Sequence, residues 1–118
     1  MDENSQVTAS IIREFNSAFN NHDIDAVMAL MTDDCIFENT FPAPDGTRHV
    51  GNTQVRLELG NFLKSSPLAS FEEEELIACD DRCVVRWRYS WGEGHVRGVD
   101  VMRVQGGKVS EKLSYVKG

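Results

Sequence analysis

The chain has 118 residues, a length that fits one domain spanning 1–118 and a core that needs no staples. A net charge of −7 with no basic run excludes non-specific binding to nucleic acid or to an anionic membrane surface. Cys35, Cys79 and Cys83 make an odd count with no signal-peptide pattern, which implies a reduced, cytoplasmic protein, and no apolar run reaches membrane-spanning length. Val7, Ile11, Ile12, Phe15, Ala18 and Phe19 recur at helical spacing and predict a helix over roughly residues 5–21. Asp23 caps a second, short helix carrying Ile24, Val27, Met28, Leu30 and Met31. Asp33-Asp34 then turns the chain into a strand, Cys35 to Asn39. A long loop, Thr40 to Gly51, carries Pro42, Pro44 and Asp45-Gly46; it is expected to border a site and to be more mobile than the sheet. Asn52 or Thr53 caps a third helix with Val55, Leu59, Phe62 and Leu63.

The second half reads as a four-strand meander, 71–79, 82–91, 95–105 and 108–116, with turns at Asp80-Asp81, Gly92-Glu93-Gly94 and Gly106-Gly107. Helices first and antiparallel strands after predict an α+β domain with the sheet curled round the helices. The run Glu72-Glu73-Glu74-Glu75 reads as a solvated strand edge, with Arg82, Arg86, Arg88 and Arg103 as available cross-strand partners. Cys79 and Cys83 flank a turn without a second Cys/His pair, so no zinc site is expected. No nucleotide or metal motif is present, and no cofactor is expected.

The segment Val99-Asp100-Val101-Met102-Arg103-Val104 sets one carboxylate among apolar strand residues. A buried Asp needs a partner, an altered acidity or a wet cavity, and each makes it a site candidate. The alternative is an outward-facing Asp on an edge strand. The Gly106-Gly107 turn decides the faces. A three-residue turn, with Gly107 left-handed in a bulge, pairs Val104 with Lys108 and sets Asp100 opposite Lys112. Asp100, Met102, Val104, Ser110, Lys112 and Ser114 then share one face, and Val99, Val101, Arg103, Val109, Glu111, Leu113 and Tyr115 the other. A two-residue Gly-Gly turn would place Leu113 opposite Asp100. The first is preferred because it gives the carboxylate a cation.

The order α-α-β-α-β-β-β-β resembles the nuclear-transport-factor-2-like superfamily. The residues that carry the likeness are Phe15 to Asn21, His22 to Asp34, Cys35-Ile36-Phe37-Glu38-Asn39, Gly51 and the last two strands. The resemblance covers nearly the whole chain and lies nearest the SnoaL-like and ketosteroid-isomerase-like group. It implies a cone in which a curved antiparallel sheet wraps three N-terminal helices around a deep apolar pocket. The fold alone does not name a reaction. In ketosteroid isomerases, also the source of a general example of acidity tuning, a base and an oxyanion hole of Tyr and protonated Asp act together. Asp100 matches the Asp, whereas Phe15 stands at the Tyr position and Asn39 at the base position. An ionised Asp100 beside Lys112 would not donate to an oxyanion, so the isomerase mechanism is not expected unchanged. Gly94-His95-Val96-Arg97-Gly98 is similar to a segment of SnoaL-like cyclases, although the C-terminal Asp of that group is absent here. The epoxide hydrolases of the superfamily bridge carboxylates with an Arg, but Arg97 and Asp100 fall on opposite strand faces.

The resemblance sends Cys83, Val85, Trp87 and Tyr89 inward and gives a pocket lined by Phe15, Phe37, Asn39, Trp87, Asp100 and Met102. Phe15, Phe37 and Met102 also read as plain core, and His22, His49 and His95 as turn or loop histidines. The implied function is binding of a small hydrophobic organic ligand, or an isomerase, cyclase or related proton-transfer enzyme on a carbonyl-containing substrate. Asp100 would then be acid or base, Asn39 the oxyanion donor and Lys112 the partner cation. The alternative is a non-catalytic ligand-binding or protein-interaction module. The outer row Val99, Val101, Val109, Leu113 and Tyr115 predicts a homodimer.

Overall fold

A computed structural model describes residues 2–118. Helix α1 (Glu3–Asn20) starts at Asp2, whose side chain accepts the Ser5 N–H at 2.8 Å. Its buried stripe is Ser5, Thr8, Ala9, Ile12, Phe15 and Phe19, while Val7 faces water. The stripe thus turns toward two polar residues, which have a task. The Ser5 hydroxyl accepts Asp80 N–H at 2.8 Å and the Thr8 hydroxyl donates to Asp80 C=O at 2.6 Å, clasping a left-handed turn residue.

Helix α2 (Ile24–Ala29) is capped by Asp23. It ends before Met31, which instead opens strand β1 (Met31–Glu38), four residues earlier than expected. Asp33-Asp34 is therefore not a turn. The two residues lie exposed within the strand, where its register against the last strand shifts. The expected loop also contains a short strand, β2 (Arg48–Val50), paired antiparallel with β1 and ending at Gly51, whose N–H donates to Cys35 C=O at 2.8 Å. His49 is thus a strand residue rather than a loop one. Helix α3 (Asn52–Ser65) takes Gly51 as its N-cap with φ of 90°, in place of the expected Asn52 or Thr53. It buries Val55, Leu59 and Leu63.

Strands β3 (Ser70–Cys79), β4 (Arg82–Ser90), β5 (His95–Gln105) and β6 (Lys108–Val116) form the expected meander. The sheet runs β2-β1-β6-β5-β4-β3, curved and unclosed, and β1 lies parallel to β6. The chain is α+β, as expected, with one strand more and one parallel pairing. An apolar cluster joins the helices to the concave face, with Ile12, Phe15, Val27, Leu59, Cys83, Met102 and Val109 among its buried members. Among the described residues no helix is long and apolar enough to cross a membrane.

Candidate functional site

The register of β5 against β6 builds the site. Gly106 and Gly107 have φ of 60° and 81°, so they form a two-residue hairpin turn between the paired Gln105 and Lys108. The three-residue turn expected from sequence is not formed. Val104 pairs with Val109, which is fully buried and not on the outer row. A bulge at Ser110 then shifts the ladder, so that Arg103 faces Glu111, Met102 faces Lys112 and Asp100 faces Ser114. Without the bulge Leu113 would oppose Asp100. With it, Lys112 and Ser114 both lie on the concave face beside the carboxylate, and the cation reaches Asp100 diagonally rather than from directly opposite.

Asp100 and Lys112 are 4% and 7% exposed. Lys112 Nζ lies 2.5 Å from Asp100 Oδ2, and Ser114 Oγ donates to Oδ1 at 2.7 Å. The ammonium also stands 5.5 Å from the Phe19 ring centre and 5.9 Å from that of Phe37. Removing two charges from water costs several kcal/mol per ion, and a close, hydrogen-bonded pair offsets that cost. The ammonium has three N–H groups. Among the described residues, Asp100 is its single hydrogen-bond acceptor.

Two cavities meet at this pair. One, of about 310 Å³, is mostly apolar and rich in rings, with Phe19, Phe37, Phe62, Phe71, Trp87 and Tyr89 in its wall. The other, also about 310 Å³, opens between α1 and β3 and is bordered by Arg13, Asn16, Asn20 and Glu73. Phe19, Phe71, Trp87, Asp100 and Lys112 belong to both walls. Phe71 stacks on Tyr89 at 4.8 Å and meets Trp87 edge-on at 5.2 Å. The Trp87 indole lies close against Gly98, where a Cβ would come within 2.6 Å of Cζ2 and Cη2. Trp87 Nε1 is buried without a hydrogen-bond partner.

Of the residues singled out from sequence, Asp100, Lys112, Asn39, Phe37 and Trp87 come together on the aromatic cavity. Phe15 and Met102 do not. Both are fully buried, and neither is in the wall of these cavities, so they are core, the plainer of their two readings. Asn39 is largely committed to its own loop. Its Oδ1 accepts Thr47 N–H at 2.8 Å and Phe41 N–H at 3.4 Å, and its Nδ2 donates to Glu58 at 3.2 Å. It holds the base of the loop 40–47, and Thr40 and Phe41 reach the cavity wall.

Arg97 points to the convex face and grips Glu74 at 2.9 and 2.6 Å, away from Asp100. Glu73 and Glu75 pair with Arg13 and Arg86, so the acidic run is partly matched from α1 as well as from β4 and β5. His95 is exposed beside Arg88, and His22 Nε2 meets Ala69 C=O at 2.9 Å. Burial pushes the Cys83 thiol up to about 11 and raises that of Cys35, so neither is an activated nucleophile. Among the described residues no cluster of His, Cys, Asp and Glu could hold a metal.

Ser114, Phe62, Phe71 and Gly98 were not singled out as site residues. Gly98 carried a signal, since a glycine inside a strand marks a close approach.

The family model of the SnoaL-like domain matches residues 12–112. The chain belongs to the SnoaL-like family. An NTF2-like protein of unknown function from Mesorhizobium loti is 41% identical over 100% of this chain and 97% of its own, with a TM-score of 0.88. A SnoaL-like protein of unknown function from Burkholderia thailandensis is 24% identical, covering 96% of each chain, with a TM-score of 0.80. A candidate ketosteroid isomerase from Kribbella flavida is 18% identical over 97% of this chain and 80% of its own, with a TM-score of 0.82. The last two show likeness of fold alone. No curated protein matches the sequence. Within the SnoaL-like family, then, this chain presents a buried Lys112–Asp100 pair, held by the half-buried Ser114, at the meeting point of an aromatic cavity and a polar one.

Proposed function

We propose that this SnoaL-like protein binds a small organic molecule with an apolar body and an oxygen acceptor. The aromatic cavity takes the body, and the Lys112 ammonium takes the oxygen. The observation that carries this reading is a buried ammonium whose single acceptor among the described residues is Asp100, leaving two N–H groups for an occupant of the cavity. Apolar walls with a few convergent polar groups are the usual form of a small-molecule site.

For a carbonyl compound the same geometry supports proton transfer. Asp100 removes a proton from the carbon beside the carbonyl, the C–H electron pair moves into the enolate, and the oxyanion accepts from Lys112. Asp100 then returns the proton to carbon. The oxyanion role moves from Asn39 to Lys112, because the Asn39 amide is engaged by the loop and Glu58. Ser114 holds the carboxylate in place through Oδ1.

The test is fluorescence titration with α-naphthol, followed by NMR of α-tetralone in deuterated buffer. Naphthol should bind, and Lys112→Met should weaken it at least about tenfold, as loss of a charge-assisted hydrogen bond does. Equal binding by both proteins ends the ligand reading. Deuterium appearing beside the tetralone carbonyl faster than in buffer, and not with Asp100→Asn, supports catalysis. Binding without exchange leaves the second reading, a non-catalytic module, which Phe15 and the committed Asn39 favour.

We also propose a homodimer through the convex face, where Tyr115 is 56% exposed opposite Val99 and Val101 lies opposite Leu113. Sedimentation showing only monomer at micromolar concentration would overturn it.

A further inference from the structure

The polar cavity between α1 and β3 has no part in that reading, yet it ends on the same ion pair. We infer that it is a second subsite, taking a neutral hydrogen-bonding group such as a hydroxyl or primary amide that is joined to the apolar body. The inference rests on the ligand-binding reading above and specifies the class of ligand: an elongated amphiphile whose two parts meet at Lys112.

Two observations support it. First, the walls differ in character while the volumes match. The aromatic cavity offers ring faces, whereas the polar one is bordered by Asn16, Ser17, Asn20 and Asn21. Among the described residues no hydrogen bond engages the Asn16 side-chain amide, which is half-buried on the helix. Amide side chains both donate and accept, so they match a hydroxyl or another amide. Second, the rim carries no spare charge. Arg13 Nε and Nη2 donate to Glu73 Oε1 and Oε2 at 3.3 and 3.2 Å, so the cation at this mouth is already matched by a carboxylate. An anionic group arriving there would meet Glu73 as well as Arg13.

The shared wall also explains how one molecule would use both cavities. Asp100 and Lys112 face each, and Phe19 and Phe71 stand between them with ring centres 5.6 Å apart. A ligand oxygen on Lys112 would therefore be the hinge between an aromatic half and a hydroxylated half.

The experiment compares α-naphthol with α-naphthyl glyceryl ether, which adds two hydroxyls beyond the same oxygen. Each is titrated against the native protein and against Asn16→Leu. Leucine is a good helix former, so the variant should keep α1 intact. The native protein should bind the ether about tenfold more tightly than naphthol, the gain of one or two net hydrogen bonds. In Asn16→Leu that advantage should vanish while naphthol affinity is unchanged. The ether alone should shift the Asn16 side-chain amide signals in NMR spectra. Equal binding of the two probes to the native protein, or an advantage that survives Asn16→Leu, overturns the inference and leaves the ligand reading standing. Failure of naphthol itself to bind overturns both.

Discussion

Asn20 holds Phe71 by both of its main-chain groups. The Asn20 amide nitrogen donates to Phe71 C=O at 2.7 Å, and its carbonyl oxygen accepts Phe71 N–H at 2.8 Å. The side chain thereby mimics a neighbouring strand at the free edge of β3, and it fixes the ring that stands between the two cavities.

Asn20→Ala should remove both bonds. Water replaces them on this exposed side, so the expected loss is about 1 kcal/mol, below the sum of two buried bonds. Urea unfolding measures it. Trp87 fluorescence should change in the folded variant, because Phe71 packs edge-on against that indole. A variant with native stability and native emission would show that the clamp does not position the ring.

Lys112→Met should be far more damaging, because it leaves the Asp100 carboxylate buried beside apolar walls. Breaking a buried pair from one side costs about 3 kcal/mol or more, whereas replacing both partners with apolar groups is often nearly neutral. Lys112→Met/Asp100→Leu should therefore recover to within about 1 kcal/mol of the native stability, and it should still fail to bind naphthol. Additive losses in the double-mutant cycle would contradict the pairing.

Thiol chemistry separates the three cysteines. Cys79 is exposed, while Cys35 and Cys83 are buried. With Cys83 held near 11, only about one in a thousand of its thiols is ionised at pH 8. Ellman's reagent at that pH should react quickly with one thiol per native chain and with three after unfolding. Loss of the fast thiol in Cys79→Ser completes the test.

Two surface ion pairs set a pH dependence. The hydrogen bond from Arg97 holds Glu74 below its ordinary 4.5, and that from Arg103 holds Asp81 below its ordinary 3.8. Both folded values lie below the unfolded ones. Their contribution is therefore full above about pH 4.5 and is lost as the pH falls through the folded values. Melting temperatures should drop on the acid side. The drop should be shallower in high salt, which screens exposed pairs, and in Arg97→Ala. Identical acid limbs for native protein and Arg97→Ala would rule out the Glu74 share.

The long periodic segments were legible from sequence, because burial of one face repeats every turn or every second residue. α1, α3 and the meander follow from that repetition. The apolar company of Asp100 made it a site candidate, while its inward face was chosen for the Lys112 cation and the family resemblance. Elements set by distant partners were not legible. β2 has three residues, Arg48-His49-Val50, too few for alternation to register, and it exists because β1 offers an edge. Met31 continues the helical spacing of α2, yet the backbone joins the sheet, with Val109 N–H donating to Leu30 C=O at 2.7 Å. At the site, the inward face of Lys112 was anticipated through the wrong turn. The two-residue Gly106-Gly107 turn and the Ser110 bulge together give the same face with a shift of two residues in register. Ser110 reads as an ordinary strand serine, and its buried hydroxyl near Arg103 C=O is visible only once the strands pair.

The open sheet has two free edges, and they are guarded differently. β2 is three residues long, too short to template another strand. β3 is ten residues long and would be an inviting partner, except that it carries Glu72 to Glu75 and loses register between Glu73 and Glu75. A strand from a second molecule docking there antiparallel would set carboxylate against carboxylate and meet a kinked ladder. The acidic run therefore serves colloidal behaviour as well as fold. It guards an unclosed cone against growing sideways into fibres in a crowded solution.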